Sequence, residues 1–343
     1  MKYAANATSY PSQPHAVISD TALASLGVLF KLVLNPTLGA LGTCANTINI
    51  VVFYKMGLSD GVTQNFFILA VSDGCIAMGS LVSSAAYLLQ TTVFLGLGGA
   101  EHQVQVVYWA TLLVGTFLQM TSLVTTVVIA VVRCCCVAMP LKVKFLITAP
   151  RQLAAILVFS GGSISALIYF FSSARVVIVH NPVTNGSLAF IAELRWYEYT
   201  VFSNIFYYVG FMVIITCVII LSINLKRSAT FRGASTSGAY GTSGCAADGQ
   251  GKDGRREVRV VKTVVFVSVV FILCYIPNMA FTVTGSLVSG FSADGVYRNA
   301  NMLVLMMTEA SLLVNASVNI FIYYFNNSRY RTLLDAIWRK ETK

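Results

Sequence analysis

The sequence predicts an all-α membrane protein, a bundle of seven transmembrane helices. Composition comes first: 56% of the 343 residues are hydrophobic, only 10% are charged, and the mean hydropathy is +0.74. An ordinary soluble domain carries about 25% charged residues, so a soluble core is excluded. Second, the charges cut the chain into seven long uncharged windows, each able to cross a bilayer. Third, Lys and Arg fall unevenly between the two faces that these windows define.

Taken in order, Lys31 and Lys55 bracket the first window, and Asp60 and Glu101 the second, which is interrupted only by Asp73. The third runs thirty uncharged residues from Gln103 to Val132 and ends at Arg133. As a helix it is roughly 45 Å long, against a bilayer core of ~30 Å. Arg151 and Arg175 bracket the fourth, Glu198 and Lys226 the fifth, Lys262 and Asp294 the sixth. Arg298 and Arg329 bracket the seventh, interrupted only by Glu309. The expected helices are about 25–54, 63–90, 104–138, 150–174, 199–226, 257–287 and 299–325. An outer tail, 1–24, precedes them, and the Gly/Ser-rich inner loop 227–254 is expected to be disordered.

Seven crossings place the termini on opposite faces. Eighteen Lys and Arg fall on one face and five, including Lys31, on the other. The positive-inside rule then predicts a multi-pass protein of the plasma membrane, with the N-terminus outside and the C-terminus in the cytoplasm. The net charge of +10 is loop charge contacting membrane lipids rather than a nucleic-acid footprint. Glycosylation sequons at Asn6 and Asn185 fall on the outer face.

Polar residues within the bilayer are costly, so they mark function or helix contacts. Asp73 lies at similar depth to Asn46, Ser122, Asn315 and Asn319. A carboxylate ringed by amides and a hydroxyl suits a small cation such as Na+, with hard oxygen ligands. The alternative is a polar network that ties helices together. No other metal spacing, catalytic constellation or internal repeat is present, so an enzyme is not expected.

Six motifs, one per expected position, resemble those of the rhodopsin-like (class A) G-protein-coupled receptors. These are Gly42-Thr-Cys-Ala-Asn46, Leu69-Ala-Val-Ser-Asp73, Arg133, Phe271 with Cys274-Tyr-Ile-Pro277, Asn315-Ala-Ser-Val-Asn319-Ile-Phe-Ile-Tyr323, and Asn327-Ser-Arg-Tyr-Arg331. The last resembles the opening of a short cytoplasmic amphipathic helix 8, within 326–343. Arg-Cys-x-Cys at Arg133, with the Met139-Pro-Leu-Lys-Val-Lys144 run, is similar to the molluscan (gastropod) chemosensory receptors. The departures are Val132 before the Arg, Tyr275 for Trp, and Ile320 for Pro.

The resemblance implies an extracellular ligand and a heterotrimeric G protein on the cytoplasmic face. It also implies an activation switch built from Arg133, Phe271, Tyr275, Pro277 and Tyr323. Glu257, at the inner start of the sixth helix, is the expected resting partner of Arg133. The family's outer disulfide is absent, with Tyr108 at one position and no Cys in the loop from Arg175 to Glu198. Leu313 stands where retinal proteins carry their Lys, so no retinal is expected. Gly115 stands where amine receptors carry their Asp. Glu309, with Gly115 and Tyr275, is the expected ligand contact; the alternative for Glu309 is a helix-packing acid paired to a Tyr or Asn. Other readings are a receptor for a secreted peptide, or a seven-helix channel or transporter. Cys134 to Cys136 read as packing residues, with palmitoylation as the alternative.

Overall fold

The structure is a computed structural model, and it describes residues 18–94, 101–138, 147–172, 175–180, 187–192, 196–237, 248–292 and 295–341. Seven long helices form the bundle: α1 (Asp20–Met56), α2 (Gly61–Phe94), α3 (Glu101–Ala138), α4 (Ala149–Phe171), α5 (Trp196–Ser237), α6 (Asp248–Leu287) and α7 (Arg298–Asn326). Among the described residues, six of these contain a span long and apolar enough to cross a membrane. The remaining helix, α4, has 23 residues and so reaches about 35 Å. A short helix, α8 (Ser328–Glu341), follows α7.

Apolar side chains point outward, as a lipid solvent requires. Leu157, Val158, Ile168 and Tyr169 are exposed on α4, and Met307, Val314, Phe321 and Phe325 on α7. The buried set includes Asn46, Asn49, Asp73, Ser122 and Asn319. In lipid, polar side chains have partners only inside the bundle, so polar groups and close packing hold the helices together.

The α1 helix packs on α2 and α7, α2 on α3, α3 on α4 and α5, and α6 on α5 and α7. Glycines allow the tightest of these approaches. A Cβ at Gly39 would collide with Ser80 Oγ and lie 2.9 Å from the Ala77 carbonyl oxygen of α2. One at Gly42 would lie 2.6 Å from Ser317 Oγ of α7.

Several expected boundaries are corrected. The first helix starts at Asp20 rather than near 25, because Ser19 caps it: the Ala22 amide donates to Ser19 Oγ at 3.2 Å. Lys31, which bounds the uncharged window, lies inside α1, as the expected helix 25–54 also had it. Residues Leu29–Leu34 form a π-helical turn, in which the Asn35 amide donates to the Phe30 carbonyl, five residues back. Pro36 follows after Asn35. It has no amide hydrogen, and its ring crowds the carbonyl four residues before it, which favours a wider turn there.

The inner loop expected to be disordered over 227–254 is helical at both ends. The α5 helix runs on to Ser237 and α6 starts at Asp248. Extending an existing helix adds one hydrogen bond per residue fixed, so a few weak formers do not stop it. The outer loop carries a hairpin, β1 (Arg175–His180) and β2 (Ser187–Ala192), paired antiparallel with Arg175 opposite Ala192. The β-branched run Val176-Val-Ile-Val179 suits a strand, and β2 lies against α3. The bundle is thus all-helical in its membrane part, with one short outer hairpin.

Candidate functional site

Three levels of the bundle, from the cytoplasm outward, hold the residues singled out in the sequence. At the inner level an aromatic cluster joins four helices. Phe53 of α1, Phe66 of α2, Tyr323 of α7 and Tyr330 of α8 meet with ring centroids 5.0–5.9 Å apart. Tyr330 donates to Asn49 Oδ1 at 2.6 Å, Asn49 to Asn46 Oδ1 at 3.1 Å, and Asn46 to the Ala316 carbonyl at 2.6 Å. This chain ties α8 through α1 to the middle of α7. Burial pushes the Tyr330 phenol above its usual range, so it stays a donor at working pH.

The α8 helix presents Tyr330, Leu333, Leu334 and Ile337 to this cluster, spaced three and four apart as one helical face requires. Its first residues are pinned as well. Arg329 donates to the Met56 carbonyl at 2.7 Å, and Arg259 of α6 to Ser328 Oγ at 3.0 Å.

Arg133 is half-buried near the cytoplasmic end of α3. The Glu257 side chain, its expected partner, lies outside the described residues. So do Asn6 and Asn185. Cys134 is buried, and its thiol donates to the Cys217 carbonyl of α5 at 3.3 Å, which is a packing role. None of the seven cysteines among the described residues is in a disulfide.

At the middle level Asp73 is 1% exposed. Its Oδ1 accepts from Ser122 and its Oδ2 from Asn319, both at 2.9 Å. Helices α2, α3 and α7 therefore meet at one carboxylate. Asn46 is spent on α7 backbone instead, and Asn315 is buried one turn outward of Asn319. Asn319 Oδ1 and the Tyr323 hydroxyl are buried without partners among the described residues. Two orphaned oxygens one turn apart on α7, beside a carboxylate and a hydroxyl, fit the donor set of a small hard cation. Asp73, Ser122 and Asn319 would hold it, and the ion would supply positive charge opposite Asp73.

Just outward, Phe271 and Tyr275 of α6 stack at 4.0 Å, and Tyr275 meets Tyr207 of α5 at 6.0 Å. They pack with Met120 and Leu123 of α3 and Leu312 of α7. Pro277 lies inside α6 directly beyond. It leaves one carbonyl without its helical donor, a local weak point at which a helix bends. Tyr208 of α5 and Thr282 of α6 are bonded at 2.9 Å on the outer side of that point.

At the outer level Glu309 of α7 forms an ion pair with Lys31 of α1, and Asn35 Nδ2 donates to the same carboxylate oxygen at 3.3 Å. The expected partners of Glu309 were a ligand, a Tyr or an Asn; Asn35 is present, and Lys31 is the partner the sequence did not announce. Gly115 opens on free space, since a Cβ there would meet nothing within 4 Å. Leu313 is buried in the α7 interior.

Seven membrane helices, a polar centre joining α2, α3 and α7, and an aromatic block beside a helix-breaking proline define a membrane receptor of the seven-helix class. The family model for 7 transmembrane receptors (rhodopsin family) matches residues 45–323, and the chain belongs to that family. No curated protein matches it. Membership makes it a multi-pass receptor that couples an extracellular ligand to G-protein signalling.

Proposed function

We propose that this receptor is chemosensory: it binds an extracellular small molecule and activates a heterotrimeric G protein at the cytoplasmic ends of α3, α5 and α6. The observation that carries the reading is the aromatic block of Phe271, Tyr275 and Tyr207. It touches α3, α5, α6 and α7 at once, at a level between Glu309 and Arg133. A ligand that contacts Glu309, Gly115 or Tyr275 better in one helix arrangement biases that arrangement. The α6 helix swings about Pro277, the block repacks, and the inner end opens.

In the resting form Arg133 pairs with Glu257, which holds α3 to α6. Na+ at Asp73, with Ser122 and Asn319, stabilises the same form. The N-terminus lies outside, with glycans at Asn6 and Asn185. A secreted peptide as ligand would use the same machinery.

The test is G-protein activation in cells, with surface labelling, for the wild type and Arg133→Ala, using pools of amino acids, amines and peptides. A ligand response in the wild type that Arg133→Ala abolishes at equal surface level supports the reading. A response that survives the substitution, or an ionic current in its place, overturns it.

A further inference from the structure

Two cysteines meet at the inner level of the bundle, and the activation switch uses neither. Cys134 follows Arg133 on α3, and its thiol donates to the Cys217 carbonyl of α5 at 3.3 Å. The two thiols are also near enough to interact with each other. They are 9% and 7% exposed and share one apolar cluster with Ile129, Ala130, Leu221 and Val264. Neither is in a disulfide.

Cys134 is the thiol that α3 sets against the α5 backbone. Cys135 and Cys136 lie about 100° and 200° further round the helix and are half-buried. Cys134 stands four residues, about 6 Å, short of the inner end of α3 at Ala138. The receptor reading assigns that end to the cytoplasm, where thiols are kept reduced and disulfides form transiently.

We propose that Cys134 and Cys217 are a redox-sensitive pair, which a hydroperoxide converts to a disulfide between α3 and α5. Hydrogen peroxide oxidises one thiol to a sulfenic acid: an S–O bond forms, the O–O bond breaks, and water leaves with the thiol proton. The other thiol attacks that sulfur. The S–S bond forms, the S–O bond breaks, and a second water leaves with the second proton. Two electrons pass from the thiols to the peroxide. Enclosure selects the oxidant. A small uncharged peroxide enters between packed helices, and the bulky, charged glutathione disulfide does not. The consequence for signalling rests on the receptor reading above. The G protein is taken up at the inner ends of α3, α5 and α6, so the disulfide fixes two of those three walls beside Arg133. Oxidation therefore holds the resting arrangement, and reduction releases it.

The test is peptide mass spectrometry of the purified full chain in phosphatidylcholine nanodiscs. The chain is treated with hydrogen peroxide, blocked with N-ethylmaleimide and digested without reductant. The expected product is a pair of peptides joined through Cys134 and Cys217, which dithiothreitol separates. Cys135→Ala and Cys136→Ala should keep this link, and Cys217→Ala should lose it. Glutathione disulfide at the same concentration should not form it. No link in the wild type, a link from Cys217 to Cys135 or Cys136 in its place, or equal linking by glutathione disulfide overturns the proposal. No G protein is present in this measurement. In cells, peroxide should lower Arg133-dependent signalling of the wild type, dithiothreitol should restore it, and Cys217→Ala should not respond. Undiminished signalling from linked receptor overturns the regulatory role. A link that forms in a chain without signalling removes the receptor reading and keeps the pair.

Discussion

Single residues in this bundle separate by what a small change meets. Ser122 donates to a carboxylate that is otherwise enclosed, so Ser122→Ala should destabilise by about 0.6 kcal/mol and at most roughly 1.7, read as a lower unfolding midpoint in detergent. Replacing NaCl by KCl should lower the midpoint of the wild type and leave Asp73→Asn unmoved; equal sensitivity would remove the cation from Asp73. Gly39→Ala should cost about 1–3 kcal/mol, because its new methyl meets the Ala77 carbonyl at 2.9 Å and backbone cannot give way. Gly115→Ala, with nothing within 4 Å, should leave stability unchanged or slightly raised, as Ala favours helix by about 1 kcal/mol over Gly. The Asp73 centre was legible at this scale, because an acid inside an apolar window is too costly to be incidental. The partner of Glu309 was not. A lone Lys at the edge of an apolar window reads the same whether it flanks a helix or turns into it.

At the scale of elements, the π-helical turn decides where Lys31 points. Pro36→Ala restores an amide to the ladder and lets the turn tighten to α-helical spacing. One residue of register is about 100° of rotation, which carries Lys31 away from α7. A double-mutant cycle between Lys31→Met and Glu309→Gln should therefore show a coupling in the wild type that falls towards zero in the Pro36→Ala background. The α8 helix offers a second case. Tyr330→Phe keeps the ring in the aromatic cluster and removes only the bond to Asn49, a loss of about 0.5–1.5 kcal/mol. Amide hydrogen exchange in α8 should quicken while the middle of α2 is unchanged. Hydropathy showed where the helices cross but not where they end. The α5 extension to Ser237 follows from propagation of an existing helix, and composition alone reads that stretch as a linker. The hairpin was missed because its Val and Ile run sits between charges, in a stretch read only as a loop.

For the whole molecule, α7 carries side-chain contacts at every depth. Glu309, Asn319 and Tyr323 lie on one helix and contact α1, α2 and α8 at three depths. A change at the outer end therefore has a direct mechanical route to the inner end, alongside the swing of α6 about Pro277. Replacing Glu257 by Gln should raise ligand-free G-protein signalling at matched surface expression, and an unchanged basal level would remove the proposed clasp on Arg133. The overall architecture was readable because a bilayer imposes one rule on every crossing segment. Pairing between crossings was not, because it depends on helix rotation, which the spacing of charges leaves undetermined.

The Lys31–Glu309 pair also bears on how the chain is made. Its two members are 278 residues apart, so the first helix is synthesised long before its counter-charge exists. At about 5–20 residues per second, translation leaves that ammonium waiting on the order of tens of seconds. A Lys in the outer part of a crossing segment, made before its counter-charge, opposes insertion by less than the ~2.5–3.5 kcal/mol of a Lys at the helix centre. Early α1 should thus enter the bilayer reluctantly, and ribosome-stalled chains ending before α7 should be the ones that quality control removes.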